Sequence, residues 1–297
     1  MRAPAASLLA SFAIGRWWSV SSWRFGLYCP AGIEDRDEAP LIVLLHGCRQ
    51  NALRFAVASG WTVYADRARV RLLCPSQRLR ANPLGCWNWF LLPAQRGGGE
   101  LAVALGAIDA VAQRCAIAAN STSVVGLSAG GAMAALLAFH HPDRFVAAVA
   151  VAAPPLLGPA NMQNPRGVMR HGLRVPPASA IALLPPSAPL AVIHGELDQF
   201  VSPICGVQLT EQAVASHRRE VVDSHTHPDQ STRTIEYRAG GRLVARHIAI
   251  PELRHEWTGG PGGHAYCEAH GPSLVALCTH FIVDAAMPAT HESVRVP

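Results

Sequence analysis

An α/β fold, with a mostly parallel central sheet covered by helices on both faces, is the class that this sequence predicts. Three observations carry the prediction. Short apolar runs of strand length recur from about residue 23 to residue 250. Segments with helical periodicity lie between them, so successive strands are joined by crossovers and pair in parallel. Half of the 297 residues are apolar, enough to bury such a sheet on both sides.

Residues 1–22 read as an N-terminal leader, unstructured or weakly signal-like. Arg2 precedes "APAASLLASFA", with Ser11 and Ala13 as small residues ahead of a cleavage point. "WRFGLYC" (23–29) reads as a strand near an edge. "LIVLL" (41–45), "VRLLC" (70–74), "SVVG" (123–126), "FVAAVAVAA" (145–153), "LAVIH" (190–194) and "LVARHIAI" (243–250) read as further strands, most of them buried on both sides. Leu101, Leu105, Ile108, Ala112 and Cys115 recur at spacings of 4, 3, 4 and 3, which is the period of an amphipathic helix. Residues 129–139, about 206–218 and about 273–285 are the other helices expected. From Pro154 to Pro189 there are nine prolines in 36 residues, which predicts an irregular, cap-like insertion between two strands. No linker divides the chain, so residues 23–286 form one expected domain, followed by a tail at 287–297.

Composition narrows the chemistry. All 25 basic residues are Arg, which excludes a lysine Schiff base, a Ser-Lys dyad and a P-loop lysine. The net charge of +5 is spread along the chain, so no nucleic-acid partner is expected. No apolar stretch reaches the roughly 18 residues of a membrane span. The eight cysteines form no C-x-x-C pair, against a structural zinc site. "DSHTHPDQ" (223–230) holds Asp223, His225, His227 and Asp229, and a polar loop rich in turn formers accounts for it without a metal.

The chemistry-bearing stretch is "GLSAG", in which Gly126 and Gly130 flank Ser128 after strand residues and before helix formers. A G-x-S-x-G at a strand-to-helix junction presents the central hydroxyl above the sheet at the positive end of the following helix. A helix N-cap serine is the simpler reading of the same residues. A nucleophilic serine needs a base and an orienting carboxylate on loops after later strands. Asp198 follows "LAVIH", with Glu196 as the near alternative. His255 follows "LVARHIAI" and lies nearest the strand end, ahead of His264, His270 and His280. Two backbone N–H groups would receive an oxyanion. They are Ala129, after the serine, and Cys48, in the turn of "LLHGCRQ". Cys48 and Cys86 form a candidate disulfide that would fix this turn. Trp87 and Trp89 in "CWNWF", with Trp257 beside the base, are candidates for an aromatic substrate wall.

Five blocks, "LIVLLHGCRQNALRFA", "CWNWF", "VVGLSAGGAMAALLAFHHPDRFVAAVAVAA", "VIHGELDQFVSP" and "EWTGGPGGHAY" with the later "GPS", together resemble the esterase family of polyhydroxybutyrate depolymerases, which are α/β-hydrolases. The resemblance runs from about residue 23 to about residue 285 and implies a serine esterase working through an acyl-serine without a cofactor. Its implied substrates are short 3-hydroxyalkanoate esters. Ser128, Asp198 and His255 match the family's triad positions, and Cys48 its oxyanion turn. Where the family usually has Gly-His-Ala-Trp-Ser-Gly-Gly, this chain has Arg254-His255-Glu256-Trp257-Thr258-Gly259-Gly260, which adds bulk and charge beside the base. Related feruloyl and acetylxylan esterases are the competing substrate class, and an acyltransferase or a non-catalytic binding protein are rivals from other classes. Without a separate binding domain, a small-molecule or oligomeric ester is the expected partner rather than a polymer granule. The resemblance also implies an extracellular location.

Overall fold

The computed structural model describes residues 16–20, 25–158, 164–217, 222–228 and 232–287. Its main sheet contains β1 (Arg16–Val20), β2 (Phe25–Cys29), β3 (Ala39–Leu45), β4 (Arg71–Pro75), β5 (Ile117–Leu127), β6 (Ala147–Val151), β7 (Leu190–Gly195), β8 (Val222–Pro228), β9 (Arg233–Ala239) and β10 (Arg242–Ile250). Across the sheet the order is β1-β2-β4-β3-β5-β6-β7-β10-β9-β8. The strands from β4 to β10 in this order run parallel. On each flank two further strands pair antiparallel.

Parallel strands need crossovers, and here these are helices. They are α1 (Ala52–Ala58), α2 (Trp61–Ala68), α3 (Leu92–Gln95), α4 (Glu100–Ala112), α5 (Ala129–His140), α6 (Pro165–His171), α7 (Pro177–Ala180), α8 (Pro203–Ser216) and α9 (Leu274–Ala286). On one face α4, α5 and α8 enclose a core with Leu101, Met133, Phe139 and Leu209. On the other, α1, α2 and α9 enclose a second core with Phe55, Trp61, Trp257 and Phe281. β4, β6 and β7 are buried along their whole length because helices cover both faces. α5 is buried from Ala129 to Phe139, so its apolar residues run all round it rather than along one stripe.

Several expectations need correcting. The stretch expected as a leader contains β1, whose backbone pairs with β2; residues 1–15 and 21–22 lie outside the described residues. The polar stretch expected as a loop at 223–230 is mostly strand, because β8 pairs with β9 through its backbone and not through an apolar pattern. Asp229 lies outside the described residues. In α4 the buried positions are Leu101, Ala104, Ala107, Ile108 and Val111, whereas Ala112 is exposed, so the helix is rotated from the face read by spacing.

The described part of the proline-rich insertion forms α6 and α7, each with Pro in its first turn, where the missing N–H costs nothing. Two glutamines of α8 hold it. Gln212 accepts from the Leu156 N–H at 2.9 Å and donates back to the Leu156 carbonyl at 2.9 Å. Gln208 does the same for Leu173, at 2.6 and 3.2 Å. These side chains satisfy backbone groups that no ladder or helix serves, and Leu157, Val168 and Ile181 bury into the core beside them.

A close approach to the sheet sets the position of α5. A Cβ on Gly130 would sit 2.0 Å from the Leu45 carbonyl oxygen, and one on Gly126 would sit 2.1 Å from the Gly130 oxygen. Gly130→Ala is therefore expected to lower stability by roughly 1–3 kcal/mol, the usual range for overpacking. Urea unfolding checks this, and an unchanged midpoint would contradict the close approach.

Candidate active site

Ser128 is the one residue between β5 and α5, and its backbone has φ 57 and ψ −118. A non-glycine residue in this region carries strain of about 1–3 kcal/mol and persists only where its surroundings hold it. Here the Ser128 N–H donates to the Val151 carbonyl of β6 at 2.8 Å, and the Ser128 carbonyl accepts from the Ala132 N–H at 2.9 Å. Strand and helix thus hold the residue from both sides. The side chain accordingly stands at the C-terminal edge of the sheet, at the positive end of α5.

Asp198 lies on the loop after β7 and His255 on the loop after β10, and the fold brings both to Ser128. His255 Nε2 is 2.9 Å from Ser128 Oγ, and His255 Nδ1 is 2.7 Å from Asp198 Oδ2. With Nδ1–H donating to the carboxylate, Nε2 is left as the acceptor for the serine hydroxyl. Asp198 Oδ1 accepts from the Phe200 N–H at 2.9 Å and the Val201 N–H at 2.8 Å. His194 Nε2 lies 3.4 Å from Oδ2. Burial alone would raise the Asp198 pKa. Hydrogen bonds from His194, His255 and the Val201 N–H outweigh it and hold the carboxyl well below the usual carboxylate range. The alternatives lie elsewhere. Glu196 pairs with Arg233 at 2.6 Å, and His264 Nε2 accepts from the Asn51 N–H at 3.0 Å. His280 is on α9, and His270 is exposed.

Beyond β3 the chain turns through His46, Gly47 and Cys48. A Cβ on Gly47 would lie 3.6 Å from the Ser128 Cβ, so this turn abuts the serine. Its neighbouring amides are engaged: Gly47 N–H donates to Gln50 Oε1 at 2.7 Å and Arg49 N–H to the Leu84 carbonyl at 2.8 Å. Cys48 lies between them and is joined to Cys86 by the candidate disulfide. The Ala129 N–H, first in α5, has no acceptor within its helix.

The tryptophans are a correction. Trp257, Trp87 and Trp89 are 0%, 1% and 4% exposed, so they are core residues and not a substrate wall. Trp257 packs edge-on against Phe55 and donates its indole N–H to the Ser59 carbonyl at 3.1 Å. Trp87 packs against His46. The aromatic rings that do surround the imidazole are Phe200 and Tyr266, with centroids 5.4 and 5.9 Å from that of His255. Both lie inside stretches that were quoted for the resemblance, but neither was singled out, and only the meeting of the loops after β7 and β10 brings them together. Gln50, which also donates to the Ala265 carbonyl at 2.6 Å, lies in the quoted "LLHGCRQ" stretch but was likewise not singled out.

His46 supports the turn as a neutral ring. Nδ1–H donates to the Gly47 carbonyl at 2.8 Å, and Nε2 accepts from the Gln77 N–H at 3.1 Å. Its pKa is lowered to about 4, chiefly by burial, with the Gly47 bond opposing and His264 adding to the fall. His247 is lowered to about 4 by burial and by His194. Each folded value lies below the unfolded value of 6.5, so between the two the unfolded chain binds more protons. The stability that these rings contribute is complete above about pH 6.5 and is lost as pH falls towards 4. Urea midpoints measured across that interval should fall, and less steeply in His46→Gln; a flat profile would contradict the burial of neutral rings.

Comparison with known proteins places the chain in a family. A family model described as Esterase PHB depolymerase matches residues 23–226. Poly(3-hydroxyalkanoate) depolymerase C of Paucimonas lemoignei is 30% identical over 200 residues, 64% of this chain and 47% of that protein. The chain thus spans about half the length of this relative. An acetyl xylan esterase from Aspergillus awamori superposes with a TM-score of 0.66 at 16% identity, over 81% of this chain and 93% of that one. Thermogutta terrifontis esterase 2 does so with a TM-score of 0.57 at 14% identity, over 93% and 96%. The two structures show the α/β-hydrolase fold, and the family match over most of the chain shows that it belongs to the esterase PHB depolymerase family.

Proposed function

We propose that the protein is a serine esterase in which Ser128 is the nucleophile, His255 the general acid and base, and Asp198 the group that orients the imidazole. The hydrogen-bonded chain from Ser128 Oγ through His255 to Asp198, standing on a strained strand-to-helix turn, is the observation that carries this reading. Ser128 Oγ attacks the ester carbonyl while His255 Nε2 takes its proton. The imidazolium so formed is stabilised by ionised Asp198. The negative charge on the carbonyl oxygen is received by the Cys48 and Ala129 N–H groups. As the C–O bond breaks, Nε2 returns the proton to the departing alkoxide, and an acyl-serine remains. Water then repeats the sequence, with His255 again as base, and releases the acid.

The family match supports short 3-hydroxyalkanoate oligomers and small esters as the substrates. The Cys48–Cys86 bridge suits an oxidising compartment.

Hydrolysis of p-nitrophenyl esters from acetate to octanoate, of hydroxybutyrate oligomers and of methyl ferulate tests the reading. Ser128→Ala should lower kcat by roughly 10⁴ or more, and Asp198→Asn, which leaves the wrong tautomer facing the serine, by about 10³–10⁴. Equal rates in wild type and a folded Ser128→Ala would overturn the assignment. Preference for methyl ferulate over the oligomers would overturn the hydroxyalkanoate choice alone.

A further inference from the structure

Three rings meet at the mouth of the site. The Phe200 centroid lies 5.4 Å from that of the His255 imidazole at 52°, Tyr266 lies 5.9 Å from it at 81°, and Phe200 meets Tyr266 at 6.2 Å and 82°. His255 is buried, but Phe200 beside it is 59% exposed. Leu197 on the same loop and Ile204 at the start of α8 are exposed as well.

Both residues are held through their backbones. The Phe200 N–H donates to Asp198 Oδ1, so its backbone belongs to the turn that presents the carboxylate. Tyr266 has φ 56, an outlying conformation for a bulky residue. Its carbonyl accepts from the Trp257 N–H at 2.8 Å, and the preceding carbonyl, of Ala265, accepts from Gln50 beside the oxyanion turn. A strained residue tied to both functional loops is where a binding contact is expected.

We infer that Phe200 and Tyr266 form the subsite for the alcohol portion of the ester, and that they favour apolar alkyl or aryl alcohols. The inference rests on the esterase reading, and the chemistry of that reaction assigns the side. The carbonyl carbon bonds to Ser128 Oγ, and its oxygen lies towards the Cys48 and Ala129 amides. The departing oxygen takes its proton from His255 Nε2, so it must lie within hydrogen-bond reach of that atom. Whatever carbon group it carries then projects beside the imidazole, where the two rings stand. The alcohol leaves once the acyl-serine has formed, so these contacts act in acylation and are absent from deacylation.

The test uses acetate esters of ethanol, butanol and hexanol, whose leaving oxygens are similar in basicity, with acetate, butyrate and hexanoate ethyl esters as the acyl series. Wild type, Ser128→Ala, Phe200→Ala, Tyr266→Ala and Tyr266→Phe are compared, and deacylation of the common acetyl-enzyme is measured separately by single turnover. Phe200→Ala and Tyr266→Ala should lower kcat/KM for hexyl acetate roughly tenfold, the loss expected when an apolar group loses its wall. The ratio of kcat/KM for hexyl over ethyl acetate should therefore fall, without a parallel fall in deacylation, and Tyr266→Phe should keep the wild-type ratio. Equal losses across the alcohol series, or a parallel fall in deacylation, would show that the rings only hold His255 and would overturn the inference. A loss that follows the acyl series would overturn it too. Hydrolysis that survives in Ser128→Ala would strike at the esterase reading itself.

Discussion

Everything at this site depends on how closely α5 approaches the sheet. Ser128 sits at positive φ because the chain must reverse from β5 into α5 within one residue. That reversal is open only to a chain with glycine at 126 and 130, since a Cβ at either place would overlap backbone about 2 Å away. The strain is local, and the burial of α5 along almost its whole length opposes it. Leu45, whose carbonyl limits Gly130, is also the last residue of β3, so the same approach sets the turn through Gly47 and Cys48 against the serine.

Around this fixed point the electrostatics divide by role. Asp198 is buried yet stays ionised, because histidine and backbone N–H groups direct their protons at it. His46 is buried and neutral, because it gives one hydrogen bond and accepts another from backbone groups, which a charged ring could not do. A charged carboxylate that stabilises a transient imidazolium and a neutral ring that supports a turn are both outcomes of burial. The hydrogen-bond partners decide which one results.

Much of this was legible in the sequence, for identifiable reasons. The six parallel strands show as apolar runs where they are buried on both sides, whereas the polar first half of β5 did not read as strand. Ser128, Asp198 and His255 could be singled out because each follows such a run, and chain order then limited the choice. The flanking strands β8 and β9 were not legible, because they owe their pairing to backbone and carry few apolar residues. The tryptophans misled because an aromatic near a motif is read as near the site, whereas Trp257 turns its ring away, into the core beneath α1. Phe200 and Tyr266 are 66 residues apart and have no common pattern; only the meeting of the loops after β7 and β10 makes them neighbours.

The most direct test of the account is the site of covalent trapping by an alkyl fluorophosphonate, read by intact mass and peptide mapping. The account predicts one adduct per chain, on Ser128, formed far more slowly when His255 is replaced by Ala. Labelling of another residue, or labelling of Ser128 at the same rate without His255, would contradict the claim that this strained turn presents an activated nucleophile.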